Sequence, residues 1–460
     1  MFLPVLAAIL GILAFLPFNY LWIFGLIFLT PLFIFLIKEE KLWRLILGVF
    51  IFRLIFLSGT VYFTLEPITW ISSILIFLGL AISIFIIKNF LNRSAYSSIL
   101  NSQFSILIFL PFLWTFFDHL EARYSLLPTY IITAGNSFGS SLFLELTNIG
   151  GLATLTFFAA LINILIATII LNFKNKKIVV FISVAIIIVM LSGWQISTFQ
   201  LQKNSKDYLN SKNSLKIAAI SVNEKFNGSQ LNQLKLELIS KRADLIIFPE
   251  DIMNNSVDIS FYQNLAKELK TNLTATFTTI QNQKKYNSTV LFSQNGEIVD
   301  IHNKNRLTFI GEYWPFGKWR PFFFDWALKT NPEFKDYAIF NPQNAYSAGT
   351  KKLLTNDGVP FASLICLEIH YPKDLKEYKK MGALFIANPT SNRWVDIGLN
   401  HFLYLTNNLR KIESVWLKMP IISAGVNDFA GIIAPNGKIN LIDFEDEDKN
   451  YGLFFGEIYY

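Results

Sequence analysis

Three short patterns in the C-terminal half of this 460-residue sequence contain residue types that can do chemistry. IIFPED places Glu250 at the end of an apolar run, where a carboxylate on the rim of a sheet can act as a general base. HNKNRLTFIGEYWPF contains Lys304 and Glu312 beside a dense aromatic group, and SLICLEIHYP places Cys366 after another apolar run, two residues before Glu368. Each pattern alone is ordinary, since carboxylates after strands are usually solvated and lone cysteines are usually inert core residues.

Together the three patterns supply the parts of a nucleophilic site. A thiol is mostly protonated at neutral pH, but a nearby ammonium favours the thiolate and a carboxylate can take the proton. Glu250, Lys304 and Cys366 would then be base, cation and nucleophile. The backbone N–H of Leu367, next to the nucleophile, is expected to point at a developing oxyanion.

A mixed α/β domain is needed to bring these residues together. Short apolar runs typical of buried strands occupy residues 215–221, 244–248, 287–293, 361–365, 383–387 and 420–424. Helix-like stretches occupy residues 230–242, 259–270 and 399–418. Alternating strands and helices of this kind predict a layered domain with a sheet core.

The first 200 residues have a different composition. Only 16 of them are charged, against 57 of the remaining 260. Apolar runs long enough to cross a bilayer lie near 2–18, 20–37, 45–64, 68–87, 99–117, 152–172 and 178–197. We therefore predict a transmembrane helical domain of about seven spans over 1–200, a linker over 201–214 and a catalytic domain over 215–460.

Basic residues in the short loops predict the orientation of this bundle. Cytoplasmic loops are enriched in Lys and Arg. One set of alternate loops contains Lys38, Lys41, Arg44, Lys88, Arg93, Lys174, Lys176 and Lys177, whereas the opposite loops contain only Arg123. The bias places the N-terminus in the cytoplasm and residues 201–460 outside.

Arg53 lies inside the third predicted span, where a charge is costly unless it has a partner or a watery cavity. Two interpretations stay open: contact with a lipid headgroup or a gating role, and a structural pair inside the bundle.

Composition also argues against several classes of site. A single cysteine excludes an internal disulfide and any multi-cysteine metal site, and four scattered histidines without an H-E-x-x-H pattern disfavour a metal hydrolase. Neither Walker nor Rossmann glycine patterns occur, so no nucleotide is expected. The basic residues of the first 200 lie beside apolar runs, so membrane topology explains them better than nucleic acid does. A Cys-His dyad using His401 or His370 stays possible, because sequence distance does not report spatial distance.

The order Glu250, Lys304, Cys366 resembles the Glu-Lys-Cys triad of the nitrilase superfamily. A nitrilase-like domain behind a multi-span bundle resembles the bacterial apolipoprotein N-acyltransferases. FPE, KNRLTFIGEYWPF and ICLEI are similar to that family's base, lysine and nucleophile motifs, and SNRWVD and a glutamate in a helix, Glu413, follow as in the family. The sequence departs from it at Leu367 and Ile310, where the family usually has aromatic residues, and in stopping at GLFFGEIYY, where the family typically has another span.

The resemblance implies a layered α-β-β-α sandwich and a specific activity. The enzyme would transfer an acyl chain from a membrane phospholipid to the N-terminal amine of a diacylated apolipoprotein, through a thioester on Cys366. Glu312 and Glu368 would orient the lysine and shape the site, while Trp314 and Phe316 would form a lid that admits lipid. It implies no metal or cofactor, and a location in the bacterial inner membrane with the catalytic domain in the periplasm.

Two other readings remain. A membrane-tethered nitrilase-type amidohydrolase would use the same triad but pass the acyl group to water or ammonia. A transporter with a large outer binding domain would need ionisable residues in several spans, and only Arg53 lies inside a predicted span.

Overall fold

The structure is a computed structural model that forms two compact units. It describes residues 1–62, 67–93, 102–125, 130–211, 213–223, 226–252, 259–330, 335, 337–395, 397–442 and 450–460. One unit comprises Met1–Lys206 and Val395–Lys418, and the other comprises Asp207–Trp394 and Met419–Tyr460.

The described elements follow the predicted order of an apolar helical part and then an α/β part. The helices are α1 (Phe2–Phe15), α2 (Leu29–Lys38), α3 (Leu42–Thr60), α4 (Pro67–Arg93), α5 (Ser102–Tyr124), α6 (Thr147–Gly150), α7 (Leu152–Leu171), α8 (Lys176–Leu209), α9 (Gly228–Ser240), α10 (Ile259–Leu269), α11 (Phe322–Thr330), α12 (Pro372–Lys380) and α13 (Leu399–Leu417). The strands are β1 (Ser214–Val222), β2 (Leu245–Glu250), β3 (Asn272–Gln281), β4 (Lys284–Phe292), β5 (Ile298–Asn303), β6 (Leu354–Asn356), β7 (Val359–Ser363), β8 (Phe385–Ser391), β9 (Ile421–Val426), β10 (Ala430–Ile433), β11 (Ile439–Ile442) and β12 (Tyr451–Tyr459).

A helical segment overlaps each of the seven predicted spans, of which 45–64 and 99–117 extend partly outside the described residues. Within the described residues, five are long and apolar enough to cross a membrane, namely Leu21–Lys38, Leu42–Thr60, Trp70–Phe90, Leu152–Leu171 and Lys176–Leu209. Leu21–Lys38 begins as a 3-10 helix and continues as α2. Of the other two segments, α1 is apolar but has only 14 residues, and α5 ends in a charged stretch.

Two features of the N-terminal unit differ from the sequence interpretation. Helix α8 continues to Leu209, through most of the predicted linker, because the polar residues after Phe199 are mainly good helix formers and include neither Gly nor Pro. Helix α13 lies within the predicted catalytic domain but clusters with the N-terminal unit. There the Asn136 side chain donates to the Leu405 carbonyl at 3.0 Å, and Ser140 Oγ lies 2.9 Å from Asn408 Oδ1.

Arg53 forms a structural pair inside the bundle. It is 1% exposed and makes an ion pair with Glu121 on α5, while Ser73 on α4 accepts a hydrogen bond from the same guanidinium at 3.0 Å. The Phe77 ring lies 4.3 Å from the guanidinium carbon. Asp118 and Glu121 lie beyond the predicted span 99–117, but α5 continues past residue 117 and carries both into the packed interior.

The second unit is built on one mixed sheet of 12 strands, ordered β5-β4-β3-β2-β1-β9-β8-β7-β6 with β10, β11 and β12 beside this path. β1 pairs with β12 along its whole length but with β9 only at Ser221 and Val222, so the sheet divides near β1. One core contains strand residues from distant parts of the order, including Leu291 of β4 and Leu354 of β6, which places two sheet layers face to face. A second core packs α9 and α10 on an outer face.

Strand direction explains how distant motifs meet. The pairs β1–β2, β2–β3, β1–β9, β8–β9 and β7–β8 are parallel, so these six strands all run in one direction. β4 is antiparallel to both β3 and β5, so β5 runs in the same direction as β2. The carboxyl ends of β2, β5 and β7 therefore lie at one edge of the sheet, and Glu250, Lys304 and Cys366 lie at or just beyond those ends.

We expect Arg53→Leu to destabilise the N-terminal unit by about 3–5 kcal/mol, because it leaves the Glu121 carboxylate buried without its cation. Arg53→Leu/Glu121→Leu should recover much of this loss. Thermal unfolding of the detergent-solubilised chain measures both. Arg44→Leu is the matched control, since Arg44 is largely exposed and its contact with Glu39 is 3.7 Å long. A double variant as unstable as the single one would show that the loss comes from packing rather than from an unpaired charge.

Candidate active site

Glu250 is the last residue of the fully buried strand β2. An irregularity in the pairing with β3 between Ile247 and Glu250 lets the strand bend at its end. One carboxylate oxygen, Oε1, accepts a hydrogen bond from Asn287 Nδ2 at 2.7 Å. The other oxygen, Oε2, is buried and has no hydrogen-bond partner in the structure. Glu250 thus has one oxygen anchored and one available for a proton.

Lys304 and Glu312 meet through a tight turn. Lys304 follows β5, and its backbone N–H donates to the Asn287 carbonyl at 2.8 Å. The chain then reverses at Ile310, which has a φ of 73°, and the Ile310 N–H donates to the Tyr313 carbonyl. The turn returns Glu312 to Lys304, with Nζ 3.0 Å from Oε1 and 2.8 Å from Oε2. Their separation of eight residues is therefore bridged by a loop, not by a helical face.

Cys366 has an unusual backbone conformation. It begins the 3-10 helix Cys366–His370, three residues beyond the end of β7, and its φ is 53°. A non-glycine residue in this left-handed region costs of order 1–3 kcal/mol and persists only where its surroundings hold it. Asn388 on β8 contributes, because its Nδ2 donates to the Leu364 carbonyl at 2.6 Å and to the Cys366 carbonyl at 3.2 Å. The side chain is only 8% exposed.

Asn287 and Asn388 are site residues that the sequence analysis missed. The Asn287 side-chain amide lies 2.7 Å from Glu250 and 2.8 Å from Glu312, so it bridges the two carboxylates. Both asparagines occupy buried positions on strands, Asn287 on β4 and Asn388 on β8. A buried amide in such a run needs partners, and that was the available signal.

Glu368 does not contact the ammonium of Lys304. Its Oε1 accepts backbone N–H groups of Asn305 at 2.7 Å and Arg306 at 3.0 Å, and its Oε2 accepts the N–H of Ile365 at 2.9 Å. The carboxylate therefore joins the loop after Lys304 to the residue before Cys366. Glu312, in contrast, pairs with the lysine directly.

Burial and charge set the protonation states at this edge. Burial raises the pKa of Glu250 to about 7, against the opposing effect of Lys304. Burial and the charge of Glu250 raise the pKa of Cys366 to about 12, although Lys304 acts in the opposite direction. Burial alone would lower the pKa of Lys304, but Glu312, Glu250 and Cys366 outweigh it and raise that pKa. The resting site therefore holds a thiol, an ammonium and a base that titrates near neutrality.

The aromatic group after Lys304 has a buried centre and an exposed rim. Trp314 is 8% exposed, its Nε1 donates to the Trp319 carbonyl at 2.8 Å, and its ring lies 5.0 Å from that of Phe316. Phe316 is 48% exposed and Phe322 is 86% exposed. Trp314 therefore holds the group together, while Phe316 is accessible. The proposed lid role of these two residues stays a prediction, and Phe316 is the better single position at which to test it.

The histidine alternative has no support from His401. That residue lies on α13 in the N-terminal unit, where its Nε2 is 2.8 Å from the Phe15 carbonyl oxygen. The charged groups that act on the Cys366 sulfur are Glu250, Lys304 and Glu312. Within the described residues, no group of three or more His, Cys, Asp or Glu side chains could hold a metal ion.

Two family models match the sequence. The carbon-nitrogen hydrolase model matches residues 202–439, about half of the chain, and the model of the apolipoprotein N-acyltransferase N-terminal domain matches residues 7–165. The chain belongs to the carbon-nitrogen hydrolase family, in its apolipoprotein N-acyltransferase branch. The predicted fold class, a helical membrane part followed by a nitrilase-like domain, is thereby confirmed.

Several curated proteins are similar to the chain, all called apolipoprotein N-acyltransferase. The Aquifex aeolicus protein is 24% identical over 215 residues, which is 46% of this chain and 45% of the relative. The Campylobacter jejuni protein is 26% identical over 266 residues, 56% of this chain and 52% of the relative. The Brucella suis protein is 30% identical over 156 residues, 34% of this chain and 27% of the relative. The matched regions thus span about half of these relatives or less.

Several solved structures match about half of the chain at low sequence identity. A nitrilase-superfamily protein of Saccharomyces cerevisiae matches 54% of this chain and 91% of its own, with a TM-score of 0.39 and 12% identity. A carbon-nitrogen hydrolase of Helicobacter pylori matches 53% of this chain and 89% of its own, with a TM-score of 0.38 and 13% identity.

We expect the rate at which an activated ester acylates Cys366 to fall as the pH drops through about 7. Glu250 must be unprotonated to take the thiol proton, and its raised pKa means that it gains a proton in this range. The measurement is the acylation rate between pH 5 and pH 9, followed by mass spectrometry.

The variant Asn287→Ala tests whether the pH dependence of acylation comes from Glu250. The amide donates a hydrogen bond to Glu250 and so favours its ionised form, and its loss should move the midpoint to higher pH. Asn272→Ala is the control, because Asn272 begins a strand but bonds to Asn356. A Glu250→Gln variant that keeps the wild-type pH profile would rule out Glu250 as the titrating base.

Proposed function

We propose that the chain transfers a fatty acyl group from a membrane phospholipid to the α-amino group of the diacylglyceryl cysteine of apolipoproteins. The reaction runs through a thioester on Cys366 in two half-reactions. Glu250 is the base and then the acid, Lys304 stabilises negative charge, and Glu312 holds Lys304 in place.

In the first half-reaction, Glu250 takes the thiol proton as the Cys366 sulfur attacks the ester carbonyl. The carbonyl oxygen becomes an oxyanion near Lys304 and the backbone N–H of Leu367. Collapse of this intermediate breaks the ester C–O bond. Glu250 returns the proton to the departing alkoxide, which leaves as a lysophospholipid.

In the second half-reaction, the amine of the lipidated cysteine attacks the thioester carbonyl. Glu250 takes a proton from the amine nitrogen, the C–S bond breaks, and the proton returns to the sulfur. The amide that forms is more stable than the thioester. An attacking amine must be neutral, so a base that titrates near neutrality suits this step as well.

The proposal rests on the presence of two features in one chain, a candidate catalytic site and a set of apolar helices. A buried Glu, Lys and Cys lie at one sheet edge, and several helices long and apolar enough to span a membrane precede that domain. The unpartnered Glu250 Oε2 suits a proton carrier, since it has no other bond to break. The names of the curated relatives, all apolipoprotein N-acyltransferases, agree with an acyl transfer to a lipoprotein.

The second candidate is an amidohydrolase that passes the same acyl group to water or ammonia. The triad residues would do the same chemistry in both cases, since both reactions form a thioester. The helical bundle favours the acyltransferase, because a water-using amidase needs one anchor rather than several spans. The exposed aromatic rim beside Lys304 favours an apolar acyl donor over a small amide.

In this proposal the bilayer both holds the chain and supplies its phospholipid substrate. We place the chain in the bacterial inner membrane, with the catalytic unit in the periplasm, on the basis of the loop charges. Its partners would be the phospholipid donor and the diacylated apolipoprotein acceptor. The chemistry as written uses no metal, cofactor or nucleic acid.

We expect the wild-type chain, supplied with labelled phospholipid but no apolipoprotein, to accumulate a labelled acyl-enzyme that hydroxylamine cleaves. Cys366→Ala should not label at all. Lys304→Ala should label poorly, because the buried site loses its cation. Cys366 is the only cysteine in the sequence, so any hydroxylamine-sensitive label reports on it.

Adding a diacylated lipopeptide should discharge the label onto its amine. Rapid discharge by water, without transfer to the lipopeptide, would identify an amidohydrolase. Full activity of Cys366→Ala would contradict both candidates.

We expect a reporter fused after Tyr460 to behave as periplasmic, and a reporter placed in the loop of Lys174, Lys176 and Lys177 to behave as cytoplasmic. The reason is the excess of basic residues on one side of the bundle. Paired alkaline phosphatase and fluorescent-protein fusions at each position give the measurement. A cytoplasmic C-terminus would separate the site from the outer leaflet and contradict the proposal.

A further inference from the structure

Arg393 is a polar residue beside the candidate active site that the reaction scheme does not use. It follows the carboxyl end of β8 by two residues and is partly buried. Its Nη1 donates a hydrogen bond to the Asp251 carbonyl at 2.7 Å, and its Nη2 donates to the Ile252 carbonyl at 3.1 Å. Arg393 therefore binds the two residues that directly follow the candidate base, Glu250.

The backbone after Glu250 is in a conformation that its surroundings must hold. Asp251 has a φ of 54°, in the left-handed region that residues with a side chain rarely adopt. Its N–H donates to the Thr276 carbonyl of β3 at 2.9 Å, and its carbonyl accepts from Arg393. Ile252 is 1% exposed, and a buried carbonyl needs a donor. The turn that ends β2 is thus held by β3 on one side and by Arg393 on the other.

The segment that carries Arg393 is itself fixed next to Cys366. The backbone N–H of Ser391 forms a hydrogen bond with the Cys366 thiol group. Asn392 is 2% exposed, and its backbone N–H donates to the Val426 carbonyl of β9 at 2.9 Å. Three consecutive residues therefore contact the nucleophile, the end of β9 and the turn after the candidate base.

The pairing of the strands does not itself join β8 to β2. β8 pairs with β7 and β9, whereas β2 pairs with β1 and β3, so β9 and β1 lie between the two strand ends in the sheet order. A guanidinium suits a link of this kind, because its planar fork offers several donors in a fixed geometry. Arg393 thus connects the end of β8 directly to the end of β2.

We propose that Arg393 is a positioning residue that fixes Glu250 relative to Cys366. Its two hydrogen bonds fasten the turn after Glu250 to the segment that contacts the Cys366 sulfur. The Glu250 carboxylate is then held where its free oxygen can take the thiol proton. The importance of this arrangement for catalysis rests on the proposed function, whereas the fixing of the turn does not.

Alkylation of Cys366 by iodoacetamide tests the inference without any lipid. The sulfur displaces iodide and the thiol proton passes to the base, so the rate reports on the placement of Glu250. Cys366 is the only cysteine in the sequence, so the mass of a single adduct gives the rate for the full-length chain in detergent. We expect Arg393→Met, which removes the donors, to slow alkylation about tenfold, which corresponds to about 1.4 kcal/mol. Arg242→Met is the matched control, since Arg242 is exposed, and should react like wild type.

A Glu250→Gln background separates positioning from simple packing. Without the carboxylate there is no base to position, so adding Arg393→Met should slow alkylation by less than about twofold more. Equal slowing in both backgrounds would overturn the inference, because Arg393 would then act on the whole domain or on Cys366 alone. Arg393→Lys keeps the charge but loses the planar fork, and its rate should fall between those of wild type and Arg393→Met.

Hydrogen exchange supplies a readout that does not depend on catalysis. Residues 246–252 cover most of β2 and the turn after it, including the Asp251 N–H that donates to Thr276. We expect Arg393→Met to speed exchange in peptides covering 246–252 about fivefold, with peptides from β12 unchanged. Exchange equal to wild type, or an increase spread evenly over the domain, would overturn the inference.

The two measurements also distinguish this inference from the proposed function. If Glu250→Gln is alkylated as fast as wild type, Glu250 is not the base and the proposed function fails. Faster exchange confined to 246–252 in Arg393→Met would then still support the inference that Arg393 fixes the strand end. If Arg393→Met does not fold, Arg393→Lys decides. Slower alkylation that requires Glu250 would support the inference, and a wild-type rate would overturn it.

Discussion

Lys304 holds a positive charge in a place with almost no solvent, and the rest of the site is arranged around that charge. A buried ammonium is stable only with a close anion, and Glu312 provides one at 2.8 Å. The turn at Ile310 exists to return Glu312 to the lysine, and Asn287 then links this pair to Glu250. Glu250, Lys304 and Glu312 are thus joined in one network through Asn287. Removing any one of these side chains would leave another without its partner.

The surroundings of Cys366 also explain why its thiol is protonated when no substrate is bound. Burial and the charge of Glu250 outweigh the lowering effect of Lys304, so the pKa of Cys366 is raised to about 12. A thiolate becomes favourable only as the proton passes to Glu250 and the sulfur forms a bond. Under the proposed mechanism, the site would stabilise charge that develops on the substrate rather than a thiolate that is always present.

The sequence analysis singled out the candidate site residues that can be recognised from their immediate neighbours in the chain. Glu250, Lys304 and Cys366 each follow an apolar run, and the alternation of strands and helices indicated the fold class. Strand direction, which brings three distant strand ends together, could not be read from the runs themselves. Asn287 and Asn388 were missed because the sequence of a strand does not show which side chains its polar residues face. The partner of Arg53 was missed because helix α5 is longer than its apolar stretch. The clustering of α13 with the N-terminal unit was not predicted, because the sequence of a helix does not show which distant segment it packs against.

The single cysteine has a consequence for oxidative damage. With no second thiol among the 460 residues, an oxidised Cys366 could not be rescued by forming an internal disulfide, and its repair would depend on reductants from outside the molecule. Peroxides attack thiolates far faster than thiols, so a sulfur that is 8% exposed and protonated at neutral pH is a poor target. The same burial that keeps the Cys366 sulfur protonated therefore also protects it from oxidation.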